Sequence, residues 1–297
     1  MDLRRLRLLR ELARLGSMRQ VADELHVTTS TVSQQLAVLA REVGTDLVEP
    51  HGRRVRLTPA GRRLAEHAVT ILAAVDAARL DLDPRAEPAG TVRVAGFATA
   101  VRRSLLPLTA RLAADHPRVR LRIGEHEPAE AYAALAADEV DLALTYDYNL
   151  APLAPDPTLD VTPLWSAAWR LGVPSAAAPG PAADAPAVFH AFRDADWIVN
   201  SRNTADEVVV RTIASMAGFE PRIVHRADSL DLVQDLIVAG LGVGLLPGDQ
   251  PTAPCVGLLP LTGPQALLRA YAVTRRGRAA WPPLALILDL LTGEPAR

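Results

Sequence analysis

A run of short polar residues between positions 28 and 35 carries the groups that hydrogen-bond to nucleic acids. The run predicts a helix whose outward positions are all small and uncharged: Thr29, Ser30, Ser33, Gln34 and Gln35. Such a face fits the major groove, where hydroxyl and amide groups reach base edges or phosphates. The alternative is a small helical bundle with a polar surface, but helix surfaces usually mix glutamate and arginine with glutamine. The run therefore favours DNA binding.

A basic hairpin follows this helix. Short apolar runs at 47–48 and 55–57 flank the polar segment 49–54, and this pattern predicts two strands with a basic tip. Arg53, Arg54 and Arg56 on the hairpin would add a salt-dependent attraction to the phosphate backbone.

Three short helices must position these side chains. Leucines at positions 3, 6, 9 and 12 predict the first helix, which Gly16 ends. Residues 18–25 predict a second helix, and Thr28 caps a third that ends at Gly44. A short helix, a three-residue turn and a second helix form the helix-turn-helix layout.

The distribution of charge supports a polyanionic partner for this front end. Residues 1–63 carry a net charge of +5, whereas the rest of the chain carries −7. All 32 basic residues are arginine, so the choice of arginine over lysine at any one position carries no argument. A basic front on an acidic body indicates that the front meets a nucleic acid.

Length and composition exclude several classes of protein. A chain of 297 residues with 49% hydrophobic residues favours about two domains with substantial cores. No run of about 18 uncharged apolar residues appears, and the arginine-rich N-terminus does not predict a secretory signal. The single cysteine, Cys255, excludes an internal disulfide and a CxxC metal site. We therefore expect a cytoplasmic protein without a membrane partner.

A long helix is predicted to join the front end to the body. Thr58 and Pro59 begin it, and one apolar stripe follows: Leu64, Ala68, Ile71, Leu72 and Val75. Such a stripe favours a coiled-coil or dimerisation arm, and the alternative is a helix that packs on its own body. The proline-rich segment 83–90 is the expected hinge and domain boundary.

From Thr91 onward, β-rich runs alternate with helical stretches, which predicts an α/β domain with a parallel sheet. The first set of predicted strands lies at 92–95, 119–123 and 141–145, and the second set at 169–173, 197–199, 222–224 and 243–246. A strand at 268–273 and a helix at 282–291 end the chain. Proline-rich connectors are expected near 151–163 and 174–186.

Three predicted strand ends in this body carry polar residues. They comprise Ala98, Thr99 and Ala100, then Tyr146, Asp147 and Tyr148, then Asn200, Ser201, Arg202 and Thr204. In open α/β sheets, ligands collect at the carboxyl ends of strands and over helix N-termini. Hydroxyls, free N–H groups and Arg202 suit a carboxylate or another small anion. For any single residue, the alternative is an ordinary helix cap or a surface arginine.

Catalytic chemistry finds little support in the sequence. GxSxG, HExxH, P-loop and CxxC motifs are absent. The glycines at 240, 242 and 244 follow a predicted helix and precede a strand, the reverse of the dinucleotide fingerprint. A solvated loop accounts for the cluster Glu125-His126-Glu127. We expect no enzymatic activity, no metal site and no cofactor.

The front end resembles the winged helix-turn-helix of LysR-type transcriptional regulators. The matching residues are Gly16-Ser17, Val21-Ala22, Leu25-His26-Val27-Thr28, Val32-Ser33-Gln34-Gln35-Leu36, Leu39, Gly44, Leu47 and the segment 53–61. By this resemblance, Thr29, Ser30 and Gln34 face base edges, whereas Thr28, Ser33 and Gln35 face phosphates.

A weaker resemblance to the same family covers nearly all of the remaining chain. It implies a winged helix-turn-helix at 1–58, a linker helix and hinge at 59–90, and a two-lobed effector-binding domain at 91–297. The fold of this domain would be like that of periplasmic binding proteins, with lobe I at about 91–163 and 268–297 and lobe II at about 164–267. Family members assemble as dimers or tetramers on double-stranded DNA.

The expected function is therefore a homodimeric or homotetrameric regulator that binds an inverted-repeat operator. A small-molecule effector in the inter-lobe cleft would change the spacing of the DNA-binding heads. One alternative is a small-molecule binding protein or enzyme of the same two-lobed fold with a non-functional head. Another is a regulator that needs no ligand.

Overall fold

A computed structural model of the chain describes residues 1–51, 54–83, 87–154, 156–177 and 183–293. For Arg54 and Asp81 it describes the backbone alone.

Three helices and a hairpin form the head. The helices are α1 (Leu3–Leu15), α2 (Met18–Glu24) and α3 (Thr29–Val43), and the hairpin pairs β1 (Val48–His51) with β2 (Arg54–Leu57). Gly16 and Gly44 end α1 and α3 in the left-handed conformation, at φ 67° and 72°. The Thr28 hydroxyl caps α3 by accepting a hydrogen bond from the Thr31 N–H at 3.1 Å. Leucines from α1 and α3 fill the core between these helices.

A 24-residue helix, α4 (Pro59–Leu82), leaves the head. Its first turn lies so close to the start of the hairpin that a Cβ at Gly61 would lie 2.1 Å from the Leu47 carbonyl oxygen. Only glycine fits this joint. The close approach fixes where the linker helix starts relative to the hairpin.

The apolar stripe of α4 packs against its own chain. Ala65, Ala68, Val69, Leu72 and Ala73 are buried, and Ala65 and Ala68 belong to the core of the head. Farther along, α4 contacts the 3₁₀ turn Arg278–Ala280 and the C-terminal helix of the body. Of the predicted stripe, Ala68 and Leu72 are buried within the chain, whereas Leu64, Ile71 and Val75 are half-buried. A dimerisation arm along this helix stays a prediction.

The body contains the remaining elements. Its helices are α5 (Ala98–Ala100), α6 (Leu106–Asp115), α7 (Pro128–Ala136), α8 (Ala185–Ala191), α9 (Ala205–Met216), α10 (Leu230–Val238) and α11 (Pro282–Thr292), with a π turn (Val101–Leu105) between α5 and α6. Its strands are β3 (Gly90–Gly96), β4 (Val119–Glu125), β5 (Leu142–Tyr148), β6 (Leu159–Pro174), β7 (Asp196–Val199), β8 (Arg222–Arg226), β9 (Val243–Pro247), β10 (Val256–Leu259) and β11 (Ala266–Arg275).

One mixed sheet connects two lobes. Within the described residues the strand order is β4-β3-β5-β11-β6-β9-β7-β8, and β10 also pairs with β6. Lobe I contains β3–β5, α5–α7 and α11, and lobe II contains β7–β10 and α8–α10. Each lobe has parallel pairs, whereas β6 and β11 run antiparallel through the centre. These two shared strands tie the lobes together.

The proline-rich segment expected to be a connector up to 163 is partly a strand. β6 begins at Leu159 and pairs with β11 from Leu159 to Trp169. The register shifts between Ala270 and Tyr271, opposite Trp165 and Pro163. A bulge at this shift accommodates the proline, which has no N–H to give the ladder. Helix α8 and strand β10, in the second half of the body, were also not predicted.

A buried ion cluster joins lobe I to the chain segment that holds the linker helix. Asp141 accepts hydrogen bonds from Arg93 Nε at 2.9 Å and from Arg278 Nη2 at 2.8 Å. These two cations hold the pKa of the nearly buried Asp141 carboxyl at about 2, against the effect of burial, which raises it.

Among the helices of the described residues, none combines the length and apolar character that a membrane crossing requires.

Candidate functional site

The outward face of α3 is open to solvent. Thr28, Thr29, Ser30, Ser33 and Gln34 are all exposed. Thr28 and Ser30 share a hydrogen bond of 2.8 Å between their hydroxyls. The side chains of Thr29, Ser33 and Gln34 make no hydrogen bond to other described residues, so their donors and acceptors are available to a partner.

Gln35 differs from its neighbours on α3. It is half-buried, and its Oε1 accepts a hydrogen bond of 2.9 Å from Arg5 Nε of α1. Arg5 also pairs with Glu42 near the end of α3. Gln35 therefore helps to hold α1 against α3, and only its amide N–H groups are left for a phosphate.

The hairpin beside α3 carries the predicted basic residues. Arg56 is exposed and pairs with Glu49 across the two strands, at 2.6 Å between Nε and Oε1. Arg54 lies in β2 opposite His51. Arg53, the third predicted contact, lies outside the described residues.

The predicted polar face of β5 is divided between two sides of the sheet. Tyr146 and Tyr148 face the cleft between the lobes, whereas Asp147 points to the opposite side, where Arg269 binds it at 2.7 Å. Successive side chains in a strand alternate between faces, so three consecutive residues cannot all line one cleft. The prediction of Asp147 as a cleft residue is wrong.

The first N–H groups of α9 are hydrogen-bonded by side chains that directly precede the helix. The Asn203 side-chain oxygen accepts a hydrogen bond from the Ala205 N–H at 2.8 Å, and the Asn200 oxygen accepts one from the Asp206 N–H at 3.2 Å. Ser201 donates its hydroxyl to Asp228. These N–H groups are occupied within the chain and the Asp206 carboxylate lies in the first turn of α9, so the predicted anion site at this helix end stays a prediction that these contacts disfavour. Thr204 precedes α9 without a capping side-chain bond.

Arg202 forms ion pairs across the cleft. From lobe II its guanidinium reaches Glu125 at 3.1 Å, Glu130 at 3.3 Å and Glu127 at 3.9 Å, all in lobe I. It also pairs with Asp228 of its own lobe at 3.3 Å. The predicted clamp for an external anion is instead engaged by four carboxylates of the same chain.

A second layer of contacts lies beneath Arg202. Asn203 Nδ2 donates to Glu127 at 2.6 Å and to the Tyr146 hydroxyl at 2.9 Å, and Tyr146 also donates to Glu127 at 3.1 Å. Tyr148 donates to Asp206, at the start of α9, at 2.7 Å. The bonds of Asn203 to Glu127 and Tyr146, and that of Tyr148 to Asp206, join the two lobes, so the cleft is closed by polar contacts.

Burial alters the acids in this layer. Burial, together with the nearby charges of Glu127 and Asp228, raises the pKa of Asp206 to about 7, although the Tyr148 hydrogen bond acts in the other direction. Burial also raises the pKa of Glu127, a residue with 6% of its surface exposed. Around the single guanidinium of Arg202, the carboxylates outnumber the cations, which adds to the effect of burial.

The opposite side of the cleft has its own contacts between the lobes. Arg103, in the π turn of lobe I, pairs with Asp249 of lobe II at 2.6 Å and stacks over the Trp165 ring at 4.3 Å. Trp165 Nε1 donates to Ser104 at 2.9 Å. The predicted residues Ala98, Thr99 and Ala100 lie at the start of this helical segment, directly after Phe97, whose ring centre is 4.6 Å from that of Tyr146. Among them, Ala100 is fully buried and Thr99 half-buried.

Sequence reasoning missed the acids that face Arg202. The segment Glu125-His126-Glu127 is the lobe I side of the cleft, and its assignment to a solvated loop is wrong for Glu127. A signal was present, because Glu127 and Glu130 around Pro128 have the spacing of a capping box, which the structure contains at the start of α7.

Within the described ranges, no group of three or more acidic, histidine or cysteine side chains is arranged to hold a metal ion.

Comparison with known families covers both parts of the chain. The family described as bacterial regulatory helix-turn-helix protein, lysR family, matches residues 3–62. The family described as LysR substrate binding domain matches residues 85–296. The chain belongs to the LysR family of transcriptional regulators.

Characterised relatives of this LysR-type regulator include GltC, a transcriptional dual regulator of Bacillus subtilis. It is 30% identical over 264 residues, which cover 83% of this chain and 81% of GltC. CysB, a transcriptional regulator of Haemophilus influenzae, is 27% identical over 252 residues, covering 79% of this chain and 71% of CysB. These relatives are transcriptional regulators, not enzymes.

Solved structures show the same fold. A variant of full-length OxyR from Pseudomonas aeruginosa superposes with a TM-score of 0.73 at 21% identity, covering 99% of the LysR-type chain described here and 94% of OxyR. Full-length CbnR, solved in complex with its target DNA, superposes with a TM-score of 0.54 at 20% identity, covering 98% and 99% of the two chains.

The folded state of this LysR-type regulator is expected to lose stability as pH rises toward neutrality. Because the pKa of Asp206 in the folded protein, about 7, lies above its ordinary 3.8, the folded state holds this proton more tightly than the unfolded chain. That stabilisation is complete below about pH 4 and is lost as pH rises to about 7. Urea unfolding of the wild type should therefore show a free energy of unfolding that falls across this window.

Asp206→Asn should flatten this part of the pH profile, since the amide oxygen still accepts the Tyr148 hydrogen bond but does not titrate. Asp235→Asn, on an exposed part of α10, is the matched control and should keep the wild-type slope. An Asp206→Asn profile as steep as the wild type would contradict the assignment of Asp206.

Proposed function

We propose that the regulator binds double-stranded DNA through the outward face of α3 and the adjacent hairpin. The observation that supports this most strongly is the exposed, uncharged face with unpaired side chains at Thr29, Ser33 and Gln34. Gln34 and Thr29, with Ser30, would contact base edges, and Thr28, Ser33 and the Gln35 amide would contact phosphates. Arg53, Arg54 and Arg56 would add backbone attraction. DNA binding places the working protein with the chromosome, in the cytoplasm.

Gln34→Ala should weaken binding to a specific operator by about 1–3 kcal/mol, because it removes a contact to a base edge. Binding to unrelated DNA should change little. Arg56→Gln should instead weaken binding to the operator and to unrelated DNA alike. It should also lower the salt dependence of the binding constant by about one released counterion. Gel shifts with both DNAs over a salt series separate the two effects.

The control for this experiment is Gln250→Ala, the same substitution in lobe II, which should leave both affinities unchanged. Equal loss of specific and non-specific binding in Gln34→Ala would contradict a base contact at this position.

We further propose a two-fold dimer formed by the two edges of the sheet. The edge strands are β4 in lobe I and β8 in lobe II. Apolar side chains are exposed near both: Ile123 and Leu106 at the first edge, and Val224, Val208 and Met216 at the second. Helix α9 lies alongside β8, joined to it by the Glu207–Arg226 ion pair at 2.8 Å.

Pairing lobe I of one copy with lobe II of the other would cover both edges at once, as a two-fold interface does. It would also protect two open strand edges from uncontrolled pairing. The stripe of α4 is partly covered within one chain, whereas the apolar side chains at both edges of the body are exposed. The two heads of such a dimer would bind an inverted repeat.

Leu106→Glu should raise the dimer dissociation constant about tenfold or more, since it places a charge in the interface. Light scattering coupled to size exclusion, over a dilution series, measures this. Leu153→Glu is the control, because Leu153 is equally exposed, at 47% against 50%, but lies on the loop after β5. A Leu106→Glu protein with the wild-type mass at every dilution would overturn the edge-to-edge arrangement.

The effector is proposed to bind between the lobes in competition with Arg202. Glu125, Glu127 and Glu130 on lobe I are balanced by this one guanidinium. A ligand with a positively charged or hydrogen-bond-donating group would take over these contacts and leave Arg202 with Asp228. A small molecule shifts the lobes only through different affinity for the two arrangements, and exchange of the cation at this acidic site would supply that difference.

A further inference from the structure

A cavity of about 290 Å³ lies where the head, the linker helix and lobe I meet. It is separate from the inter-lobe cleft. Apolar side chains form much of its wall: Leu12 from α1, Val55 and Leu57 from β2, and Ala65 and Val69 from α4. This volume, near the lower end of the range for ligand pockets, holds a molecule of on the order of ten heavy atoms.

Four arginines from all three units line the same cavity. Arg10 comes from α1, Arg56 from the hairpin, Arg62 from α4 and Arg275 from the end of β11. The carboxylates in its lining belong to Glu66 and Asp138. Cations therefore outnumber acids in the wall by two to one.

The acids nearby already pair with arginines, and two of these arginines, Arg275 and Arg10, line the cavity and are therefore partly neutralised. Asp138 binds Arg275 at 3.2 Å and lies 3.9 Å from Arg93. Glu11, which pairs with Arg10, also binds Arg14 at 2.7 Å.

Arg62 is the arginine of the cavity with the fewest partners. Its Nη1 donates to the Leu57 carbonyl at 3.0 Å, and among the described residues it has no carboxylate partner. Most of its N–H donors are therefore available to a ligand.

Repulsion between cations marks the same joint. Burial lowers the pKa of Arg278, and the nearby charge of Arg10 lowers it further, while Asp141 acts in the opposite direction. Arg10 of the head thus lies close enough to the buried Arg278 of the body to disfavour its protonated form. An anion at this joint would relieve the repulsion.

We propose that this joint cavity binds a small organic anion, a carboxylate with an apolar body, whose charged end meets Arg62 and Arg275. The apolar end would lie against Leu12, Val55 and Val69. A guanidinium matches a carboxylate with two parallel hydrogen bonds, which suits Arg62 with its free donors.

Such a ligand would contact all three units and fix the head relative to lobe I. Arg56 lines the cavity and is also a proposed DNA contact, so occupancy of the cavity would couple to DNA affinity. The coupling rests on the proposed DNA-binding function, whereas the site itself does not.

Calorimetric titration of the full chain with benzoate and with hexanoate tests the site. Saturable binding is expected for at least one of them, and none for benzylamine, which has the size of benzoate and the opposite charge. Arg62→Gln should weaken binding about tenfold or more, because it removes the charged partner of the carboxylate. Arg62→Lys, which keeps the charge, should recover part of the loss.

Two controls separate this site from others. Arg63→Gln removes an exposed arginine one position along α4 that does not line the cavity, and it should bind the anion like the wild type. Arg193→Gln removes an exposed arginine that pairs within lobe II, far from the cavity lining, and it should also bind like the wild type.

The proposal is overturned if neither carboxylate shows saturable binding to the wild type. It is equally overturned if Arg63→Gln or Arg193→Gln loses as much affinity as Arg62→Gln. DNA binding in the absence of any carboxylate is measured separately by gel shift, so failure of one proposal is distinguishable from failure of the other.

Discussion

One guanidinium group, that of Arg202, holds the two lobes of the body in their closed arrangement. It projects from lobe II into three glutamates of lobe I, and the buried layer beneath it adds hydrogen bonds between tyrosines of lobe I and α9. Arg202 is exposed, and single exposed ion pairs contribute little, but its four carboxylate partners form a network that lies over the buried polar layer. The closed state depends on this network together with that layer. Any molecule that opens or remodels the cleft must supply substitutes for it.

The same sheet connects the cleft with the head. β11 begins beside Tyr148 of the cleft and ends at Arg275, at the joint cavity. The residues that follow, Arg276 and Gly277, contact the linker helix: the Thr70 hydroxyl donates to the Arg276 carbonyl at 3.3 Å, and a Cβ at Gly277 would lie 2.6 Å from Thr70. A continuous series of packed contacts therefore joins the cleft to α4, along β11 and the residues that follow it.

Local patterns in the sequence predicted much of this architecture. The leucine spacing of α1, the glycines that end α1 and α3, and the Thr28 cap all depend on neighbouring residues, and each appears in the structure. Pro163 misled the strand prediction because the bulge that accommodates it is created by β11, about a hundred residues later. The alternation of side chains along a strand is sufficient to separate Asp147 from Tyr146 and Tyr148.

The acidic partners of Arg202 were beyond local reasoning. Glu125 and Glu130 lie 77 and 72 residues before Arg202, in a different lobe. Only the topology, which places the end of β4 and the start of α7 opposite the start of α9, brings them together. An isolated arginine after a strand looks like a site for an anion, and its carboxylate partners reverse that interpretation.

The most direct test of the account is footprinting of the wild type and of Arg202→Gln on the DNA upstream of the encoding gene. Both proteins should protect the same two half-sites, because the head is unchanged. The variant should differ in the protection between the half-sites, because loss of the guanidinium alters the lobes and, through β11 and α4, the spacing of the heads. Arg193→Gln, an exposed arginine that pairs within lobe II, should match the wild type. Identical footprints for the wild type and Arg202→Gln would contradict control of DNA binding by this contact.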